Sequence, residues 1–221
     1  MTFRPSKTSW RVAGLLALCV VPIVAGVVRF HEVTTGALLT EENARFLRDP
    51  IPVLIHVVAV SVYAILGAFQ FVPSLRRKKS SWHRRAGLVL APAGLVVALG
   101  GLWMTATYPR PPGDGHLVTF FRVVFGAGMV TSLVLGVLAV RRRDFALHGA
   151  WMTRAYAIGM GAGTQVLTHI PYFLWVDAPN ELGRGLCMGA GWIINLGIAE
   201  WIIRHGRRPR ARPPLGLPAG A

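Results

Sequence analysis

Six long apolar stretches run through this chain, at 11–29, 51–73, 88–107, 117–140, 150–175 and 185–203. Each comes close to the ~20 residues that a helix rising about 1.5 Å per residue needs to cross hydrocarbon roughly 30 Å thick. A water-soluble chain of 221 residues has no interior large enough to hide six such segments. The reading is an all-α integral membrane protein, six transmembrane helices in an antiparallel bundle, forming one membrane domain over 1–205. Residues 206–221 are rich in Arg, Pro and Gly. They lack an apolar face and are read as a disordered basic tail.

Charge gives the orientation. The formal net charge of +15 suggests a nucleic-acid binder until its placement is considered. Eighteen of the 24 Lys and Arg fall between 4 and 11, 76 and 85, 141 and 154, and 204 and 212. In a six-helix serpentine these four places share one side. Seven of the nine acids fall on the other: Glu32, Glu41, Glu42, Asp49, Asp114, Asp177 and Glu181. Cytoplasmic loops carry the excess of Lys and Arg, so both termini are expected inside. The implied partners are the bilayer and anionic lipid at the basic loops and tail, with no nucleic acid. Homo-oligomers and a redox partner stay open. Arg outnumbers Lys 21 to 3 amid abundant Ala, Gly, Val and Pro. That composition suggests a GC-rich bacterial genome and hence a plasma membrane. The first apolar run exceeds a usual signal-peptide core and no small-residue cleavage site follows it, so it is read as a retained helix.

The outer loop after the first helix is the long one, HEVTTGALLTEENARFLRDPIP, and the remaining outer loops are short. The first helix is expected to end at Arg29-Phe30-His31, and Thr40-Glu41-Glu42-Asn43 could cap a short helix through Arg48. LRRKKSSWH, ending at His83, echoes VRRRDFALH, ending at His148, 65 residues later. Helices 2–3 and 4–5 could thus be related hairpins, although topology alone would also place two basic loops there. Glycines at 126 and 128, at 159, 161 and 163, and at 185, 189 and 191 permit close helix approach in lipid.

Ionisable groups inside a bilayer are costly and mark candidate sites. His56, Arg122 and His169 each lie about six residues from the ends of their helices, roughly 9 Å below one boundary. Two neutral imidazoles on different helices can ligate a b-type haem while an Arg holds a propionate. The same residues could instead bind a metal or relay protons, or merely bond neighbouring helices. His83 and His148 offer a second, inner pair. Arg154, Glu200 and Gln70 cluster near the basic end, with Asn195 mid-membrane, and are read as a structural polar lock. Cys19 and Cys187 show no metal or redox spacing. HExxH, CxxC, GxSxG and a phosphate loop are all missing, so no catalytic residue is assigned and an enzyme is the less favoured reading.

One set of residues carries a resemblance. His56…Phe69-Gln70-Phe71…Leu75-Arg76, His83-Arg84-x-x-Gly87, Arg143-Asp144-x-x-x-His148-x-x-Trp151-Met152-x-Arg154-x-Tyr156-Ala157 and Trp192…Asn195…Ala199-Glu200-Trp201 together resemble an uncharacterised bacterial membrane-protein family, catalogued as domain of unknown function 2306. The likeness covers about 50–205. It implies a helical integral membrane protein and transfers no reaction. His169 lies outside that pattern, and Gly149 stands where the pattern has Arg. A looser likeness is to diheme b-type cytochromes, although here helix 4 supplies no internal His and helix 5 supplies two. The leading functional expectation is haem b and transmembrane electron transfer. The alternatives are a small transporter or channel-like protein with a His/Arg pathway, and a structural accessory subunit.

Overall fold

The computed structural model describes residues 7–72, 75, 80–176 and 180–206. The expected tail and most of the basic loop at 73–79 lie outside them. The described residues form eight α-helices: α1 Lys7–Thr35, α2 Ala44–Arg48, α3 Pro50–Gln70, α4 Ser80–Thr107, α5 His116–Arg141, α6 Phe145–Gly159, α7 Gly161–Trp175 and α8 Glu181–Gly206. Among the described residues no strand occurs. Among the described residues five helices are long and apolar enough to cross a membrane: α1, α3, α4, α5 and α8. Their outward faces carry Leu88, Leu99, Trp103 and Ile193, each more than half exposed. In water that surface would be a liability, whereas hydrocarbon accepts it and the helices satisfy their own backbone groups.

The helices run past the apolar stretches because polar residues extend them. α1 continues to Thr35 instead of stopping at His31. Arg29 pairs with Glu32 one turn on, and Thr34 and Thr35 donate hydroxyl bonds to the carbonyls of Phe30 and His31. In the following loop Thr40 and Asn43 bond reciprocally: Asn43 Oδ1 accepts from the Thr40 amide at 2.8 Å, and Thr40 Oγ1 from the Asn43 amide at 3.3 Å. The short helix follows this capping segment, from Ala44 to Arg48. At the basic end, Asp144 Oδ1 accepts from the Leu147 amide and starts α6. His83 and His148 are each the fourth residue of their helices.

The fifth apolar stretch differs most from expectation. It forms two helices of 15 residues, α6 and α7, separated at Met160. Gly159, Gly161 and Gly163 weaken the helix there. Tertiary contacts then hold the break. A Cβ on Gly161 would strike the Trp192 indole, and one on Gly163 would strike the Leu18 carbonyl of α1. Asn195 on α8 straps both halves. Its amide nitrogen donates to the Ala157 carbonyl at 3.1 Å, and its oxygen accepts from Thr164 Oγ1 at 2.8 Å.

Helix neighbours follow a ring, α1–α3–α4–α5–α8–α7 and back to α1, with the smallest shared face between α7 and α1. α6 packs mainly on α5 and α8 at the basic end. There the ring closes on a packed core that includes Cys19, Tyr63, Leu90, Leu133, Ala155 and Tyr156. The Tyr156 hydroxyl donates to the Ala64 carbonyl at 2.8 Å, so a phenol inside the core is satisfied. At the opposite end the ring stays open.

Candidate functional site

That opening is a cavity of about 490 Å³. Its wall takes Pro22, Gly26 and Arg29 from α1, Arg45 and Phe46 from α2, and His56 and Val60 from α3. Val97, Gly101 and Thr105 come from α4, Arg122, Phe125 and Met129 from α5, Gln165 from α7 and Trp192 from α8. Ile158 and Gly159, the end of α6, reach its deep part, so the helix break sits beside the floor. Deeper along the same helices come Tyr63 and Leu133 of the packed core.

The chemistry changes with depth. Four arginines line the wall, Arg29, Arg45, Arg110 and Arg122, and among the described residues no carboxylate does. Thr105, Tyr108 and Thr119 add hydroxyls. The deeper part is mostly Val, Phe, Met, Gly and Trp, interrupted by His56 and Gln165. Apolar walls with a few convergent polar groups are the usual form of a small-molecule site.

Each arginine is placed by its own local structure. Pro112 and Gly113 form a turn in which the Asp114 amide donates to the Pro111 carbonyl at 3.1 Å. Gly113 has φ +80°, the left-handed conformation that a type II turn requires and glycine adopts freely. This turn buries Asp114, whose side chain is 0% exposed. One of its oxygens meets Arg122 at 2.7 Å and the other Arg184 at 2.6 Å, so one carboxylate clamps α5 to α8. Arg29 is neutralised by Glu32. Arg110 contacts the His116 ring at 3.3 Å. Arg45 has no carboxylate partner among the described residues and no hydrogen-bond partner for its buried Nε. It stacks on Phe46 at 4.5 Å, and the other face-on cation on that ring is Arg29 at 4.3 Å. Burial, and after it the nearby Arg122 guanidinium, lower the Arg45 pKa from its ordinary value. Tyr108 fixes this rim: its hydroxyl donates to the Asp49 carbonyl at 2.5 Å, and its ring meets Phe46 edge-on at 5.7 Å.

The residues singled out in the sequence are distributed unequally around this site. His56 and Arg122 line the cavity, whereas His169, His83 and His148 do not. The His56 ring lies on the glycine pair of α4: Cβ atoms on Gly100 and Gly101 would come within 3.4 Å of its Nδ1 and 3.6 Å of its Cε1. The Val97 backbone is its polar neighbour, and Nδ1 is buried without a hydrogen-bond partner. His169 Nδ1 donates to the Gln165 carbonyl at 2.6 Å, and its ring packs on Phe173. His148 Nδ1 is bonded to the Gly136 carbonyl at 2.8 Å. A pair of histidines facing one another across the cavity, as bis-imidazole haem requires, is therefore not what these residues present. Among the described residues no group of three or more His, Cys, Asp and Glu is placed to hold a metal.

At the basic end, Arg154 Nε and Nη2 donate to Glu200 at 2.5 and 3.0 Å, and the guanidinium lies 4.6 Å over the Trp151 ring. Asn195 is bonded to the helix break instead, and Gln70 Nε2 is buried without a partner, so neither joins that pair. Sequence reading missed Arg29, Arg45, Arg110 and Asp114. The available signal was the six arginines left over on the acidic side, which topology did not require.

Apolar helices turned outward and a charged cavity between them define a multi-pass, membrane-embedded α-helical protein. The family model described as "Predicted membrane protein (DUF2306)" matches residues 53–203. The chain belongs to that family. Comparison with curated proteins and with solved structures gives no match.

Proposed function

We propose that this protein binds an organic anion in the cavity and passes it across the bacterial plasma membrane, as a small transporter. One observation carries the reading: four arginines and no described carboxylate line a half-apolar cavity, with Arg45 lacking an anionic partner. An unpaired cation in a low-dielectric wall is costly, and an anionic ligand offsets that cost. Two features favour passage over storage. The cavity closes on a packed core, as a site with access from one side at a time does. A discontinuous helix, α6–α7, ends beside its floor, and broken helices at mid-depth are recurrent parts of transporter sites.

In this reading α6 and α7 together make the sixth crossing, both termini are cytoplasmic, and the cavity opens outward. Reporter fusions at Gly113 and Ala211 should then report opposite compartments. Equal signals would remove the sixth crossing, and a cytoplasmic signal at Gly113 would reverse the orientation.

The anion itself is tested by equilibrium binding to detergent-purified protein, with acetate, inorganic phosphate and octyl phosphate as probes. Saturable binding of at least one probe is expected. Arg45→Gln should weaken it by about tenfold, the scale of one charge-assisted contact. Absence of saturable binding by all three, or indifference to Arg45→Gln, would overturn the proposal. A haem on His56, its propionates on the arginines, is the rival, since His56 does lie below the arginine rim. It requires a Soret band in protein expressed with ample haem, and that band would replace the anion reading.

A further inference from the structure

The depth profile of the cavity says more than its charge. A small hydrated anion needs the arginine rim and nothing below it. Yet the cavity continues past Arg122 for seven more residues of α5, as far as Met129, roughly 10 Å of helix. Over that depth the wall is mostly apolar, with Val57, Val60, Phe125, Met129, Ile158 and Trp192, and His56 and Gln165 are its polar members. The Trp192 indole stacks on Phe125 with ring centres 4.8 Å apart, so this part of the wall is rigid and flat.

Gly126 lets Leu102 of α4 pack close against α5, since a Cβ there would meet it at 2.8 Å, whereas a Cβ on Gly101 would make only ordinary contact, 3.6 Å from the His56 ring. Both glycines line the cavity. Apolar walls of this kind hold few waters, because a water needs two to four polar partners. An apolar chain is the occupant that fits them.

Resting on the anion reading above, we infer that the ligand is an anionic amphiphile with one hydrocarbon tail. Its carboxylate or phosphate head sits among Arg45, Arg110 and Arg122, and its tail of roughly eight carbons lies between His56 and Trp192. Arg122 is already held by Asp114, so it is preset in orientation and accepts the head as a second anion. Arg45 provides the unspent charge. His56 borders the tail and takes no part in holding the head. The route for such a ligand is lateral as well as vertical, because α1 and α7 share the smallest face in the ring and Ala25 and Ala162 on that seam are exposed.

Chain length is the test, on wild-type protein in detergent with protein-free micelles as the reference. Inorganic phosphate, butyl phosphate, hexyl phosphate and octyl phosphate share one head and differ in tail. Affinity should rise about threefold per added methylene and level off near eight carbons, as burial of apolar surface dictates. Octyl phosphate bound no more tightly than inorganic phosphate would overturn this inference and leave the anion reading standing. No binding of either, nor of acetate, would remove both.

Ala162→Phe places a ring at the seam within the wall. It should weaken octyl phosphate at least tenfold and leave inorganic phosphate unchanged. An equal loss of both, or of neither, contradicts a tail pocket. The chain-length series on the unaltered protein decides the matter if that variant does not fold. Reconstitution in zwitterionic lipid, with and without phosphatidylglycerol, separates two sources of the same chemistry. Displacement of octyl phosphate by the anionic lipid marks a bilayer lipid as the occupant, and retention marks a free amphiphile.

Discussion

Gly163→Ala is expected to lower the thermal stability of the detergent-purified protein by about 1–3 kcal/mol, the range for overpacking a tight contact. The added methyl would strike the Leu18 carbonyl, and that atom belongs to the backbone of α1. A side chain could rotate away, but a helix backbone cannot without moving the helix. Gly197 is the control. It too lies in a helix, and a Cβ there would find nothing within 4 Å. Gly197→Ala should be neutral or stabilising by up to ~1 kcal/mol, since alanine has the higher helix propensity. Thermal melts of the two variants decide the matter. If Gly163→Ala melts with Gly197→Ala, α1 does not rest on α7 as described. The consequence reaches the cavity, because the α1–α7 seam closes its wall. Gly163→Ala should therefore also loosen anion binding, although Gly163 does not line the cavity.

Glycine spacing suggested close packing along the fifth apolar stretch, and that much was legible. Which glycine would meet a side chain and which a backbone was not, because the answer lies on α1 and α8, far away in sequence. For the same reason the stretch read as one span. Hydropathy averages over Met160, and only Trp192, Asn195 and Leu18 reveal that the helix is interrupted there and held. Helix existence was easy to read since lipid-facing surfaces need no alternation. Helix ends were harder, since Arg29, Glu32 and Thr35 extend α1 through bonds that an apolar window ignores.

Arg122 stood out in the sequence because it lies inside an apolar run. Arg45 and Arg29 did not, because a loop or helix-end arginine costs nothing on paper. Their convergence depends on α2 folding back over the rim, pinned by Tyr108 to Asp49. Asp114 looked like an ordinary loop acid, yet the Pro112-Gly113 turn makes it the buried link between Arg122 and Arg184. Depth along the helices puts His56 and His169 at one level. It does not say which way they face, and their rings are engaged with different neighbours.

Glu200→Gln is the second large effect expected. The carboxylate receives two hydrogen bonds from Arg154, and the two side chains are 33% and 24% exposed. Breaking a fully buried pair by removing one partner costs about 3–5 kcal/mol. Partial exposure lets Arg154 recover some hydration, so about 1–2 kcal/mol is the expectation here. Arg154 would keep its place over Trp151 at 4.6 Å, which limits its escape to water. Arg154→Met added to Glu200→Gln should restore part of the loss, because the stranded charge is then gone. A coupling of about 1 kcal/mol is expected from the double-mutant cycle, measured by thermal or denaturant unfolding in one detergent. The competing account is that both residues reach the membrane surface independently. In that case Glu200→Gln alone changes little and the cycle is additive within about 0.3–0.5 kcal/mol. An additive cycle would mean that the Arg154–Glu200 pair does not tie α6 to α8. The strap at Asn195 would then be the nearest polar tie holding the broken helix against α8.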